Sequence, residues 1–143
     1  MRSLVISKWE SGRLNSGVAL RNSQNMAALA LLGPVDVIVV DPERDTTGCI
    51  PLRGTTQIGD YAPPPPPQIR GQWLLPGPQH MIRRYTDQGL VQWLRSLSAT
   101  DYDLALVEEI ALSAYLAPLV ASGIRSVFDA HNVEARLWAD IGL

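Results

Sequence analysis

An α/β fold built on a parallel sheet is what this sequence predicts, and three observations carry the prediction. Short apolar runs recur at SLVIS (3–7), DVIVV (36–40), LALV (104–107) and SVF (126–128). Segments with helical spacing of apolar residues lie between most of them. The runs are continuous rather than alternating with polar residues, as befits strands covered by helices on both faces. Together they describe a Rossmann-like domain, a parallel sheet flanked by helices.

The elements follow in order. After SLVIS, Asn15 or Ser16 can cap a helix running from about Gly17 to Leu32, with Leu20, Met26, Ala27, Ala28, Leu29 and Leu31 giving a broad apolar surface. Gly33-Pro34 stops it, and DVIVV completes a βαβ unit with an expected right-handed crossover. The middle differs: nine of the eleven prolines lie between Pro42 and Pro78, five of them consecutive at 63–67. Residues 42–78 therefore read as a proline-rich irregular insertion with an extended polyproline arm, and IRGQWLL (69–75) is the only strand expected there. Recognition of that arm as a proline ligand is disfavoured, because Arg70 is its lone basic neighbour. Residues 82–98 form a helix with Tyr85, Leu90, Trp93, Leu94 and Leu97 mainly along one side, although Gly89 costs about 1 kcal/mol relative to alanine. LALV is the next strand. A helix over 109–121 follows, kinked or restarted at Pro118 and closed by Ser122-Gly123. After SVF, Asn132 caps a last helix with Glu134 in its first turn.

Composition narrows the class. A chain of 143 residues that is 46% apolar and 18% charged reads as one globular domain. Twelve basic residues against fourteen acidic ones, scattered along the chain, leave no nucleic-acid footprint. LALV and VIVV fall far short of the roughly 20 apolar residues of a membrane-spanning helix. Lys8 and Glu10 interrupt the N-terminus before a secretory core forms. A cytoplasmic protein with no transmembrane segment is expected, peripheral contact with a membrane being left open. The single Cys49 makes neither an internal disulfide nor a thiolate zinc site. With two histidines in all, and Ala135 four residues after His131, no metal is expected.

In an open parallel sheet the ligand crevice lies beyond the carboxyl ends of the strands. KWESGRLNSG (8–17) follows the first strand, where Gly12 and Gly17 allow close backbone approach and the amides after Ser16 can meet an anion. It is neither a GxGxxG motif nor a P-loop, and a plain turn accounts for the glycines equally well. Trp9, at a strand end, is placed to border a pocket, whereas Trp93 and Trp138 sit in helical patterns as core or interface residues. Of Glu108 and Glu109, one should face the crevice and the other cap the following helix. The sharper segment is Asp129-Ala130-His131-Asn132-Val133-Glu134: bulk packing does not ask for two carboxylates, an imidazole and an amide directly after a buried strand. His131 can exchange hydrogen bonds with a sugar hydroxyl while Asp129 orients the ring, although turn and cap roles also suit Asp129 and Asn132. His80, beside Pro78, reads as loop surface.

DAHNVEARLW, with DYDLALVEE upstream and SGRLNSGVALRNSQNMAALALLG near the start, resembles the N-terminal domain of retaining glycosyltransferases of the GT-B class, family four. The resemblance covers most of the chain apart from the proline arm. It implies one lobe of a two-lobed fold, spanning 1–143 and incomplete at its C-terminal end, that transfers a sugar from a nucleotide-sugar donor to an acceptor with retention, without a metal or other cofactor. It further implies that Gly12, Ser16 and Gly17 lie near the donor diphosphate and sugar. By the same resemblance His131 approaches the reaction centre as the catalytic residue, and Asn132 and Glu134 shape the adjacent surface. Trp9, Glu109 and Asp129 join them as candidate substrate contacts. The partner it implies is a C-terminal lobe that binds the nucleotide; the chain alone is then expected to be inactive. The alternative is a non-catalytic homologue serving as a binding or interaction module, and the two differ in whether an apolar seam is left open for a second lobe.

Overall fold

In a computed structural model, which describes residues 1–8, 17–40, 52–63 and 79–130, the apolar runs form one sheet. Its strands are β1 (Ser3–Ser7), β2 (Val35–Val40), β3 (Thr55–Tyr61), β4 (Leu104–Glu108) and β5 (Ser126–Asp129). All four pairings are parallel, in the spatial order β3-β2-β1-β4-β5. This is the Rossmann-like α/β architecture expected from the sequence.

Strand alternation sorts the core into two layers. Val5, Val35, Val37, Val39 and Leu106 face helix α1 (Gly17–Ala30), which sends the fully buried Met26 among them. Leu4, Ile6, Ile38, Val40, Ala105 and Val107 face the opposite layer, built by α3 (Gln88–Ser96), a 3-10 helix (Ile110–Tyr115) and α4 (Leu116–Ala121). Each fully buried Val, Leu or Ile contributes about 1.5–3 kcal/mol, so β1 and β2, buried along their whole length, anchor the domain.

Several boundaries depart from the sequence reading. The helix after β1 ends at Ala30, and Leu20 and Leu31 are exposed rather than part of its apolar surface. β3 was not foreseen: it lies within the proline-rich region, where only 69–75 was expected to be a strand, a segment outside the described residues. Its burial pattern shows why, since Thr56, Gln57, Ile58 and Asp60 are exposed on this edge strand. Backbone pairing with β2, shifted between Val37 and Ile38, defines it instead of a buried apolar face.

The helix expected over 82–98 is two helices, α2 (Gln79–Arg84) and α3. Between them Asp87 adopts an extended backbone and its Oδ1 caps α3 by accepting from the Leu90 amide at 2.8 Å. The Tyr115 hydroxyl secures the break, accepting from the Asp87 amide at 2.9 Å and donating to the Tyr85 carbonyl at 2.6 Å. His80, expected in a loop, falls within α2. The segment over 109–121 likewise divides, with Pro118 in the first turn of α4, where a missing amide hydrogen costs least. Gly123, at φ 76°, follows Ser122 at its end. Among the described residues no helix is long and apolar enough to cross a membrane.

Candidate functional site at the carboxyl edge of the sheet

The strand order places a topological switch point between β1 and β4: the chain passes from β1 to β2 on one side and from β4 to β5 on the other. In open parallel sheets the crevice for a ligand opens at the carboxyl ends of the strands flanking that point. Here those ends carry Ser7 and Lys8, then Glu108 and Glu109, with Asp129 on the neighbouring β5.

The period of two along β4 decides where each carboxylate goes. Glu108 follows Leu104 and Leu106 on the face toward α1, and the register pairs it with Asp129 of β5. Helix α1 meets them with residues three and four apart, Arg21, Asn22 and Asn25, which share a side of the helix. Asn25 Nδ2 donates to Glu108 Oε1 at 3.2 Å and to Asp129 Oδ2 at 3.0 Å. Arg21 pairs with Asp129 Oδ1 at 3.3 Å. Asn22 Nδ2 donates to Ser7 Oγ at 3.0 Å, and the Ser7 hydroxyl in turn hydrogen-bonds Glu108. One polar face of α1 thus ties together the carboxyl ends of three strands.

Glu108 is fully buried, and burial pushes its carboxyl up to about 7. The hydrogen bonds from Ser7 and Asn25 oppose the shift, while the charges of Asp129 and Glu109 add to it. A carboxyl titrating near neutrality can hold or release a proton where a ligand would sit.

Glu109 points elsewhere. Its φ of 75° and ψ of 144° make it the one non-glycine residue with positive φ among the described residues, a conformation that costs on the order of 1–3 kcal/mol. The turn is held by its amide, which donates to the Asp129 carbonyl at 2.8 Å, and by its carbonyl, which accepts from Leu112 at 3.1 Å. Its carboxylate pairs with Lys8 Nζ at 3.2 Å, and the same ammonium lies 4.6 Å from the centroid of the Tyr85 ring. Burial would lower the Lys8 pKa, but Glu109 and Tyr85 outweigh it and raise it above the ordinary value. The expected helix cap by one of the two glutamates is not made: Glu109 precedes the 3-10 helix, but its side chain forms no capping bond.

Beside this polar edge an open groove of about 360 Å³ runs between α1 and the outer strands. Leu29, Leu104, Leu106 and Val127 give it an apolar lining, and Asn25 and Asp129 are its polar members.

Of the residues singled out from sequence, Asp129 joins Glu108 and Asn25 here, Glu109 meets Asp129 through its backbone amide while its carboxylate turns to Lys8, and Gly17 opens α1, exposed and with no atom within 4 Å of where a Cβ would stand. Trp9, Gly12, Ser16, His131, Asn132 and Glu134 lie outside the described residues. Arg21, Asn22, Asn25 and Ser7 were not anticipated. Their signal was present: two asparagines three apart on a helix expected to bury an apolar side, and a serine at the carboxyl end of a buried strand. Among the described residues no group of three or more His, Cys, Asp or Glu side chains is arranged to hold a metal ion. No family model, curated protein or solved structure matches the chain.

Proposed function

We propose that the chain is the N-terminal, acceptor-side lobe of a glycosyltransferase that moves a sugar from a nucleotide-sugar to an acceptor with retention. The observation that carries this reading is the convergence of Ser7, Asn25, Glu108 and Asp129 at the switch point of a parallel sheet, with the Lys8–Glu109 ion pair beside them. Carboxylates and amides in such an arrangement suit the hydroxyl groups of a carbohydrate, which both donate and accept.

The balance of charge favours a division of labour. Lys8 and Arg21, the cations of the described edge, are each paired with a carboxylate, so this edge offers little surplus positive charge to a leaving diphosphate. Stabilisation of that group is assigned to a second lobe. The apolar groove beside β5 supports the same reading, since a lobe that works against a second one carries such a seam. In this scheme Gly12, Ser16 and Gly17 serve the donor, Trp9, Glu109, Asp129, Asn132 and Glu134 the substrates, and His131 the reaction centre.

The test is an assay of nucleoside diphosphate release and of product anomeric configuration, with a panel of nucleotide-sugars and the reading frame continued beyond Leu143. The expected result is acceptor-dependent release with retained configuration, lost about 100-fold or more in His131→Ala at unchanged thermal stability. Wild-type turnover in that variant removes His131 from the mechanism. The absence of any nucleotide-sugar binding rejects the transferase reading.

A further inference from the structure

Two buried polar atoms at the switch point have no hydrogen-bond partner among the described residues: Asn22 Oδ1 and Glu108 Oε2. Both side chains are fully buried, and both reach the same serine. An unsatisfied buried polar atom costs about 1–3 kcal/mol, so each of the two calls for a partner.

We propose that Asn22 and Glu108 form a buried subsite for one hydroxyl group of a carbohydrate ligand. The proposal rests on the sugar-transferring reading above and adds to it the atoms that receive the sugar. Hydrogen-bond directions fix the chemistry. Asn22 Nδ2 donates to Ser7 Oγ, which leaves Asn22 Oδ1 as an acceptor. Asn25 donates to Glu108 Oε1, making that the carbonyl-like oxygen and leaving the carboxyl proton to Oε2. The pair therefore presents one acceptor and one donor. A hydroxyl satisfies both; a phosphate oxygen meets an acceptor it cannot bond, and an ammonium leaves the carboxyl proton without a partner.

The groups around Glu108 agree. Ser7 ends β1 and Lys8 follows it, α1 brings Arg21, Asn22 and Asn25, Glu109 follows β4, and β5 brings Asp129; Lys8 is held by Glu109 and Arg21 by Asp129. The hydroxyl is bound by the protonated carboxyl, so affinity falls as Glu108 ionises. Because both side chains are buried, the edge must open to admit a ligand, and association is slower than diffusion allows.

The experiment uses the isotopically labelled chain with methyl α-glucoside, methyl α-mannoside and methyl α-galactoside as probes, following the Asn22 side-chain amide and the Glu108 carboxyl carbon by NMR. At least one glycoside is expected to shift both signals saturably, with affinity falling about thirtyfold between pH 6 and 8.5, the ratio of protonated carboxyl at those two values. Glu108→Gln keeps a donor and an acceptor in place and should bind with no such pH dependence. The subsite is overturned if none of the three glycosides moves the signals, if affinity rises with pH, if Glu108→Gln retains the wild-type pH profile, or if a bound water contacts Asn22 undisplaced by glycoside. Glycoside binding without any nucleotide-sugar-dependent transfer refutes the transferase reading alone, whereas transfer without glycoside binding refutes the subsite alone.

Discussion

Replacing Glu108 by glutamine removes a buried ionisable group while preserving its shape and the oxygen that accepts from Asn25. In the native chain the carboxyl titrates near 7 against an ordinary value of 4.5. As pH rises from 4.5, the unfolded chain loses this proton first, while the native protein holds it until about pH 7. Native stability therefore falls by up to about 1.4 kcal/mol per pH unit across that window and levels off above it. The accumulated loss is about 3 kcal/mol, a large share of the 5–15 kcal/mol typical of a domain. Glu108→Gln escapes it. Urea unfolding of both proteins from pH 5 to 8, monitored by circular dichroism, should give similar stabilities at the acidic end. By pH 8 the variant should be more stable by about 3 kcal/mol. Taking the difference cancels the titration of every group that the two proteins share. A difference that stays flat from pH 5 to 8, or that favours the wild type as pH rises, would refute the burial argument for Glu108.

Two further outcomes follow from the same edge. Asn25→Leu deletes the donor shared by two carboxyls and should cost about 2 kcal/mol at neutral pH, read by urea unfolding, while moving the Glu108 titration further upward in carbon-detected NMR. At position 109, glycine should give a protein about 1–2 kcal/mol more stable than alanine, because both lack the Lys8 ion pair and only glycine relaxes at φ 75°; equal midpoints would mean that the backbone there is unstrained.

The doubly covered strands were legible because burial on both faces demands continuous apolar runs, and SLVIS and VIVV carry that demand openly. β3 was hidden for the complementary reason: an edge strand with a mostly exposed pattern is specified by pairing to β2, and nothing in TTQIGDY announces it. The break at Tyr85–Asp87 was equally obscure, since one apolar stripe crosses both helices. What divides them is the Tyr115 hydroxyl, some thirty residues away in the chain.

The site divides along the same line. The sequence alone determined that acidic residues end two apolar strands, and that an open parallel sheet offers its crevice there; the second of them, β5, was expected to be buried but is an edge strand with Val127 and Phe128 exposed. Only the tertiary structure decided which carboxylate turns inward. Side-chain alternation sends Glu108 under α1, where burial pushes its carboxyl up to about 7, while the positive-φ turn at Glu109 directs the next carboxylate to Lys8. Two adjacent glutamates, alike in sequence, thus acquire different surroundings and different partners. The physical reason is that a pKa depends on desolvation and on neighbours brought from distant parts of the chain, Ser7, Asn25 and Asp129, and no local spacing contains those neighbours.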